Sequence, residues 1–184
     1  MNLRESSMKN TISAYSRKTV IRLFVYGTLK RGGWNHDRFC RNAVTIETAT
    51  VRGRLYLLSA GFPALEIPES SILAYGTADP LADAAIQAGF VPKIAAGTDR
   101  PHPKGDWDPI KGELITFASP ERDFPPIDRL EGFRPGSRCM YQRVLVIVQT
   151  ATMEYPAWVY SMQVAPGGKR LRGEWSADSN ARKI

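Results

Sequence analysis

Two extended segments of the chain share one residue pattern, with a glycine in the interior of each. Residues 51–58 and 110–117 both run apolar, basic, glycine, charged, leucine and then further apolar residues. Glycine inside a strand marks a bulge or a sharp bend, of the kind found at the corners of β-barrels. The pair therefore predicts a small, strongly curved sheet.

Four further runs have strand composition. Residues 22–26 are β-rich and stop at Gly27, which indicates a first strand followed by a tight loop. Residues 62–67 could form a hairpin with the preceding segment, with a proline that favours an edge position. Residues 144–148 and 157–162 supply two more strands. The first of these is unbroken in its apolar character, so both of its faces should be covered.

Helical segments are fewer and shorter. Residues 79–89 match a capped helix, whose N-cap, first residue and terminal stop are Asp79, Pro80 and Gly89. Residues 124–131 predict a second helix, with two prolines at its start and Gly132 at its end. Residues 35–42 could form a helical turn.

The length and charge of the chain indicate one domain between basic ends. A chain of 184 residues has room for one domain with a real core. We assign that domain to residues 20–165, with an insertion at about 68–108 that includes a long surface loop after residue 92. Of the net charge of +7, residues 1–19 carry +3 and residues 166–184 carry another +3. We therefore expect two flexible basic tails, with solvation a better explanation of their charge than nucleic-acid binding.

The chain lacks the residues that several classes of protein and functional site require. No apolar run approaches the roughly 20 residues that span a bilayer, and no apolar segment follows the basic N-terminus, so we expect a cytoplasmic protein without a membrane partner. Cys40 and Cys139 lie far apart without CxxC spacing, which is typical of reduced thiols. Neither GxGxxG nor GxxxxGK[ST] occurs, so nucleotide-binding loops are excluded.

With only two histidines, the sequence gives little support for a catalytic triad or a histidine-rich metal site. His102 is flanked by prolines, which indicates an exposed histidine in a loop without a catalytic role. His36 could activate Cys40, four residues later on one face of a helical turn, as a thiolate nucleophile. The simpler interpretation is a surface imidazole beside a small buried thiol.

The remaining candidate is the passage from strand to loop at residues 24–32, Phe-Val-Tyr-Gly-Thr-Leu-Lys-Arg-Gly. A glycine directly after a strand lets successive backbone N–H groups turn toward one point, where they can hold a carboxylate or an oxyanion. By itself, a strand that ends in Tyr-Gly-Thr is more often a turn than a site.

Several blocks of the chain together resemble a known family. The loop Val-Tyr-Gly-Thr-Leu-Lys-Arg-Gly with the following Asn-His is similar to the signature of the γ-glutamyl cyclotransferase superfamily, on its γ-glutamylamine cyclotransferase and AIG2-like branch. The resemblance covers most of residues 21–162, apart from 68–108 and both tails. Four further blocks carry it: residues 51–56, 127–133, 140–143 and 157–160.

The resemblance implies an α+β fold, a small mixed β-barrel with short flanking helices. It places the catalytic glutamate of a Leu-Asp-x-x-Glu-Gly block on Glu131, with Ile127 in place of the leucine. It assigns γ-glutamyl binding to the loop, largely through its backbone, and to a pocket tyrosine; these residues are Tyr26, Gly27, Thr28, Leu29 and Tyr141.

The implied reaction explains why one carboxylate is enough. The α-amine of a γ-glutamyl compound attacks its own γ-carbonyl and gives 5-oxoproline and a free amine, so no nucleophilic side chain, metal or cofactor is expected. One carboxylate can move both protons if its pKa lies near neutrality. We expect Phe133, Tyr141 and Trp158 to line the barrel mouth and to raise the pKa of Glu131 by desolvation.

Alternatives stay open at this stage. Glu131 could be an ordinary solvated acid at a helix end, and Tyr141 a strand aromatic. Asp128 fits a structural acid, while Asn35 and Arg143 could bind substrate or brace loops. The chain could also be an AIG2-like protein that binds γ-glutamyl compounds without turnover, or a nucleic-acid-associated protein that uses its basic tails.

Overall fold

The computed structural model describes residues 19–95, 103–137, 139–163 and 167–176. Strands dominate these residues: β1 Ile21–Val25, β2 Thr45–Leu57, β3 Pro63–Glu66, β4 Ala74–Tyr75, β5 Lys93–Ile94, β6 Asp108–Phe117, β7 Gln142–Gln149, β8 Met153–Ser161 and β9 Lys169–Leu171. The helices are short: α1 His36–Phe39, α2 Pro80–Ala88, α3 Pro120–Glu131 and a 3₁₀ turn at Glu69–Ser71.

Five strands close into a barrel. Their order is β2, β6, β1, β8 and β7, and the ring closes where Thr50 of β2 pairs with Gln149 of β7. The pair β1–β8 is parallel, through Leu23 and Trp158, while the other four are antiparallel. The mixed, strongly curved barrel with short helices confirms the predicted α+β fold.

The two strand glycines lie where neighbouring chains approach closely. A Cβ on Gly53 would stand 2.7 Å from Leu65 Cδ1, and one on Gly112 would stand 2.3 Å from the Val25 carbonyl oxygen. Strands β2 and β6 keep one continuous register from residue 45 to residue 53, so the bulge alternative is wrong for this ladder. Directly after Gly53, β2 leaves β6 and pairs with β3, which makes this glycine a corner of the barrel.

Alternation along the strands divides the buried side chains into two cores. One core fills the barrel and draws on all five of its strands, with Phe24, Val51, Leu114, Val146 and Val159 among its members. The other core lies between the barrel and the helices, where α3 contributes Phe124 and Ile127. Strand β7 contributes to both cores, which confirms the prediction that both of its faces are covered.

Helix α2 has the predicted caps and packs into the domain. Asp79 accepts a hydrogen bond from the Leu81 N–H at 2.9 Å, and the helix ends before Gly89. On its buried side, Gln87 accepts a hydrogen bond from the Arg22 N–H at 2.8 Å, which ties α2 to the start of β1. Strand β4, just before it, pairs with β7. Residues 68–95 thus contact the barrel at several points.

The expected C-terminal tail is wrong for residues 167–176. Strand β9 pairs with β2 in antiparallel orientation. Trp175 is only 2 % exposed because its indole packs with the core that fills the barrel. Arg170 and Arg172 form ion pairs with Asp108, at 2.9 and 3.1 Å. Their charges are therefore partly neutralised. Residues 1–18, 166 and 177–184 of the predicted tails lie outside the described residues, as does His102.

Candidate functional site

The loop after β1 forms a tight turn that its own residues hold in place. The Lys30 N–H donates to the Gly27 carbonyl at 3.1 Å, and the Asn35 N–H donates to the Thr28 carbonyl at 3.2 Å. The Asn35 side chain also donates to Thr28 Oγ1 at 2.9 Å. Of the two roles considered for Asn35, bracing the loop is the one these contacts show.

Residue 27 must be small because the loop packs directly on β3. A Cβ at this position would stand 2.8 Å from Pro63 Cγ. Beyond the turn, Lys30 Nζ donates to Glu174 and to the Trp175 carbonyl, both at 2.8 Å, and Arg31 pairs with Glu113 at 2.7 Å. The loop is therefore held by contacts with β3, with β6 and with the C-terminal segment.

One cavity of about 410 Å³ lies between this loop and the end of α3. Its wall includes all six residues that the sequence analysis assigned to the site: Tyr26, Gly27, Thr28, Leu29, Glu131 and Tyr141. The structure thus brings together two chain segments about a hundred residues apart. The remaining wall comes from Phe24, Val25, Trp34, Asn35, Phe62, Pro63, Arg129, Leu130, Gly132, Met140 and Tyr160.

Glu131 reaches the cavity because α3 ends there. Helix α3 begins at Pro120, four residues before the predicted start, and includes the two prolines that were expected at its first turn. The chain leaves the helix at Gly132, whose φ of +64° lies in the left-handed region that favours glycine, as the sequence predicted. The N–H of Phe133 then returns to the Asp128 carbonyl at 2.9 Å.

The Glu131 carboxyl is desolvated by burial. Burial raises the pKa of Glu131 to about 7, and the nearby Asp128 carboxylate adds to the rise. Among the described residues, none forms a hydrogen bond or an ion pair with this carboxyl group. A carboxyl with such a pKa can both accept and release a proton near neutral pH.

A buried charge network lies behind Glu131. The Arg143 guanidinium, which is fully buried, donates to Asp128 at 2.5 Å, to Asp83 of α2 and to the Thr77 carbonyl at 2.9 Å. Asp128 also accepts a hydrogen bond from the Tyr160 hydroxyl at 2.6 Å. Asp128 is therefore a structural acid, and Arg143 braces the helix that carries Glu131.

The two predicted tyrosines use their hydroxyl groups to hold the cavity wall. Tyr141 donates to the Pro63 carbonyl at 2.9 Å, and Tyr26 donates to the Tyr160 carbonyl at 2.8 Å. Burial raises the pKa of both tyrosines, and the charge of Glu131 contributes to each rise. They stay protonated, so they present rings and neutral hydroxyl groups to the cavity.

Part of the expected aromatic lining is wrong. Phe133 and Trp158 lie in the core between barrel and helices, and Trp158 is fully buried. Tyr160 takes the lining position instead, because it stands two residues after Trp158 on the same face of β8 and nearer the strand end. Residues from outside the recognised blocks, Trp34, Phe62 and Pro63, complete the wall.

The alternative thiolate site is contradicted. His36 Nδ1 lies 2.8 Å from the Leu29 carbonyl oxygen, and Cys40 Sγ contacts the same oxygen at 3.7 Å, so the imidazole does not activate the thiol. Burial raises the pKa of Cys40 to about 12, which keeps it a neutral thiol. Within the described ranges, no cluster of three His, Cys, Asp or Glu side chains could hold a metal ion.

No helix in the described part of the chain has the length and apolar character to cross a membrane.

Comparison with known sequences identifies one matching family. The family described as "Gamma-glutamyl cyclotransferase, AIG2-like" matches residues 23–88 and 86–177. These ranges include the loop, Glu131, Tyr141 and β9. They also include residues 68–108, which lie outside the blocks that carried the sequence resemblance. No curated protein matched the chain.

Solved structures with a similar arrangement are distant in sequence. An AIG2-like protein from Mus musculus is 21% identical, with a TM-score of 0.45, over 80% of both chains. The YkqA protein from Bacillus subtilis is also 21% identical, with a TM-score of 0.48, over 89% of this chain and 44% of its own. An Arabidopsis thaliana protein is 15% identical, with a TM-score of 0.49, over 92% of this chain and 85% of its own.

Proposed function

The chain belongs to the gamma-glutamyl cyclotransferase, AIG2-like family, and we propose that it converts a γ-glutamyl amine or a γ-glutamyl peptide into 5-oxoproline and a free amine. The observation that carries the proposal is the carboxyl group of Glu131. It faces the same cavity as the loop at residues 26–29, has no protein partner among the described residues, and has a pKa of about 7.

The reaction exchanges protons at two nitrogen atoms and needs no reactant other than solvent protons. The substrate's α-ammonium first loses one proton to solvent, and the free amine attacks the γ-carbonyl carbon to form the five-membered ring. Glu131 accepts the second proton that this nitrogen gives up and donates it to the nitrogen of the leaving amine as the γ-amide bond breaks, and the released amine takes up one proton from solvent. One C–N bond forms, one breaks, and no water is consumed. A carboxyl group with a pKa near 7 suits both steps.

The loop supplies binding groups for the charged and polarised oxygens of the γ-glutamyl part. Among the described residues, the backbone N–H groups of Gly27, Thr28 and Leu29 find no acceptor, although they lie in the cavity wall. Free N–H groups at one turn can hold a carboxylate or a developing oxyanion. Since these donors are backbone groups fixed by the turn, they are already oriented before substrate binds.

The aromatic floor of the cavity folds the substrate. Tyr26, Tyr141 and Tyr160 surround the γ-glutamyl group with rings that hydrogen bonds hold in place. A rigid wall favours the bent substrate in which amine and carbonyl carbon meet, and such positioning can supply a large part of the rate enhancement.

Release of 5-oxoproline tests the proposal. Purified protein in metal-free buffer is incubated with γ-glutamyl dipeptides and γ-glutamyl amides, and 5-oxoproline is measured by mass spectrometry. We expect catalytic release of 5-oxoproline from at least one compound. Tight binding of these compounds without release would instead identify a binding protein that retains the cavity but lacks turnover.

A further inference from the structure

The cavity has a closed floor and an open rim. Its floor is formed by side chains that are at most 7 % exposed, among them Phe24, Tyr26, Leu29 and Tyr160. Its rim is formed by side chains that solvent reaches freely: Trp34 is 63 % exposed and Met140 is 60 % exposed. Because the loop and Glu131 fix the γ-glutamyl group at the floor, the leaving group of the proposed reaction points to the rim.

The rim has an apolar side and a single cation. Trp34, Leu130 and Met140 are large apolar side chains on the surface around one opening, which is a common property of binding surfaces. Among the described residues of the cavity wall, Arg129 and Glu131 are the only charged ones. Its guanidinium is exposed and forms no ion pair with any described residue.

Trp34 is held in place although it is exposed. Its ring packs edge-on against Trp175, with centroids 5.9 Å apart and an interplanar angle of 79°. Trp175 is itself buried, and Lys30 ties its carbonyl to the loop. An exposed tryptophan whose position is fixed by a buried one offers an apolar surface without an ordering cost on binding.

We propose that Trp34, Leu130, Met140 and Arg129 form a leaving-group subsite that selects large apolar α-amino acids with a free carboxylate. The preferred substrates are then γ-glutamyl dipeptides such as γ-glutamylphenylalanine. This inference rests on the proposed function. The apolar rim contacts the side chain of the second residue, while Arg129 binds its carboxylate. A leaving group that ends in an ammonium meets a like charge at Arg129, and Glu131 is the only acid among the described wall residues.

The substrate itself carries a second carboxylate, so the test must separate two roles for Arg129. It could bind the carboxylate of the leaving amino acid or that of the glutamyl part. Four probes distinguish them: γ-glutamylphenylalanine, γ-glutamylalanine, the γ-glutamyl amide of 2-phenylethylamine, and γ-glutamylcadaverine. The third lacks only the distal carboxylate, and the fourth carries a distal ammonium.

We expect kcat/KM for γ-glutamylphenylalanine to exceed that for γ-glutamylalanine about tenfold, from partial burial of the benzyl group. It should exceed that for the phenylethylamide about 3- to 5-fold, as an exposed charge pair allows. γ-Glutamylcadaverine should be the poorest substrate. Arg129→Gln should lower kcat/KM for γ-glutamylphenylalanine to about the value for the phenylethylamide, and so abolish the preference for the dipeptide over the phenylethylamide.

Matched variants separate the subsite from general effects. Arg134→Gln removes an exposed charge near the same helix end but outside the cavity wall, and should leave all four values unchanged. Met140→Ser and Trp34→Ala should each reduce the preference for phenylalanine over alanine. Val91→Ser, at a side chain 75 % exposed and away from the cavity, should not. Met140 lies outside the loop, so its variant keeps the test valid if Trp34→Ala disturbs folding.

The outcomes are distinguishable. Equal or better turnover of γ-glutamylcadaverine than of γ-glutamylphenylalanine would overturn the inference and leave the proposed function intact. An equal loss for the dipeptide and the phenylethylamide in Arg129→Gln would place Arg129 on the glutamyl part and overturn its assigned role. Absence of 5-oxoproline from every probe would overturn the proposed function and this inference with it.

Discussion

The raised pKa of Glu131 results mainly from the burial of its carboxyl group. It is the last residue of α3, where Gly132 turns the chain away, so its side chain meets the cavity. Burial favours the neutral acid, and the charge of Asp128 adds to this because Arg143 and Tyr160 hold Asp128 nearby. At this scale the sequence predicted that Glu131 and Tyr141 lie together in one pocket, and it predicted the direction of the pKa shift of Glu131. It wrongly placed Phe133 and Trp158 in the wall and missed Tyr160.

The raised pKa of Glu131 predicts a pH dependence. Only the ionised carboxylate can accept the substrate's proton, and its pKa lies at about 7 in the folded protein. Activity should therefore be complete above that pH and be lost as the pH falls through it, about tenfold per pH unit. The profile of kcat/KM between pH 5 and 9 measures this. A profile flat down to pH 5 would show that the carboxyl titrates as an ordinary glutamate.

Helix α3, which carries Glu131, is anchored by helix α2, which lies within the insertion predicted at residues 68–108. Asp83 of α2 and Asp128 of α3 bind the same buried guanidinium, that of Arg143 on β7. Asp83 also accepts the Thr77 N–H, at 3.0 and 3.1 Å. Helix α2 therefore helps to set the position of α3, and the charge of Arg143 needs both carboxylates because water does not reach it.

Asp83→Asn should destabilise the protein by about 3–5 kcal/mol, because it leaves the buried Arg143 charge undercompensated. Urea denaturation measures this change. Asp79→Asn is the matched control on the same helix, since asparagine caps a helix about as well as aspartate, and should change stability by less than about 0.5 kcal/mol. Equal effects of the two variants would show that the network contributes no specific stability.

The sequence could predict elements where local chemistry decides them. Asp79, Pro80 and Gly89 define α2 without reference to anything else in the chain, and the glycines at 53 and 112 correctly indicated strong curvature. It could not predict what depends on contacts across the fold. The start of α3 at Pro120 was missed because Pro125 and Pro126 are typical of a helix start, whereas the structure places both inside the helix, where proline is disfavoured.

Over the whole molecule, the C-terminal segment joins the barrel and braces the loop after β1. Strand β9 extends the pairing of β2, and Trp175 packs into the core and against Trp34. From sequence, this segment resembles part of a basic tail, because Lys169, Arg170 and Arg172 outweigh Glu174. The acids that balance two of these cations, Asp106 and Asp108, lie more than sixty residues earlier, so composition alone could not reveal the pairs.

Trp175→Ala should destabilise the protein by about 3–5 kcal/mol, as expected for a buried tryptophan whose cavity is not refilled. It should also raise KM for γ-glutamyl substrates, because the loop loses its brace. Trp34→Ala removes the exposed partner and should cost less than about 1 kcal/mol. Chemical denaturation of both variants checks the difference. Equal stability losses would mean that the segment is not part of the folded domain's core.

Release of 5-oxoproline by wild type and Glu131→Gln measures the central proposal most directly. Glutamine keeps the shape of the side chain but cannot accept the substrate's proton, so we expect kcat to fall by about 10²–10⁴ while substrate still binds. Glu121→Gln, an exposed acid in the first turn of the same helix, should retain wild-type activity. Near-normal turnover by Glu131→Gln would contradict the assignment of proton transfer to this carboxyl group.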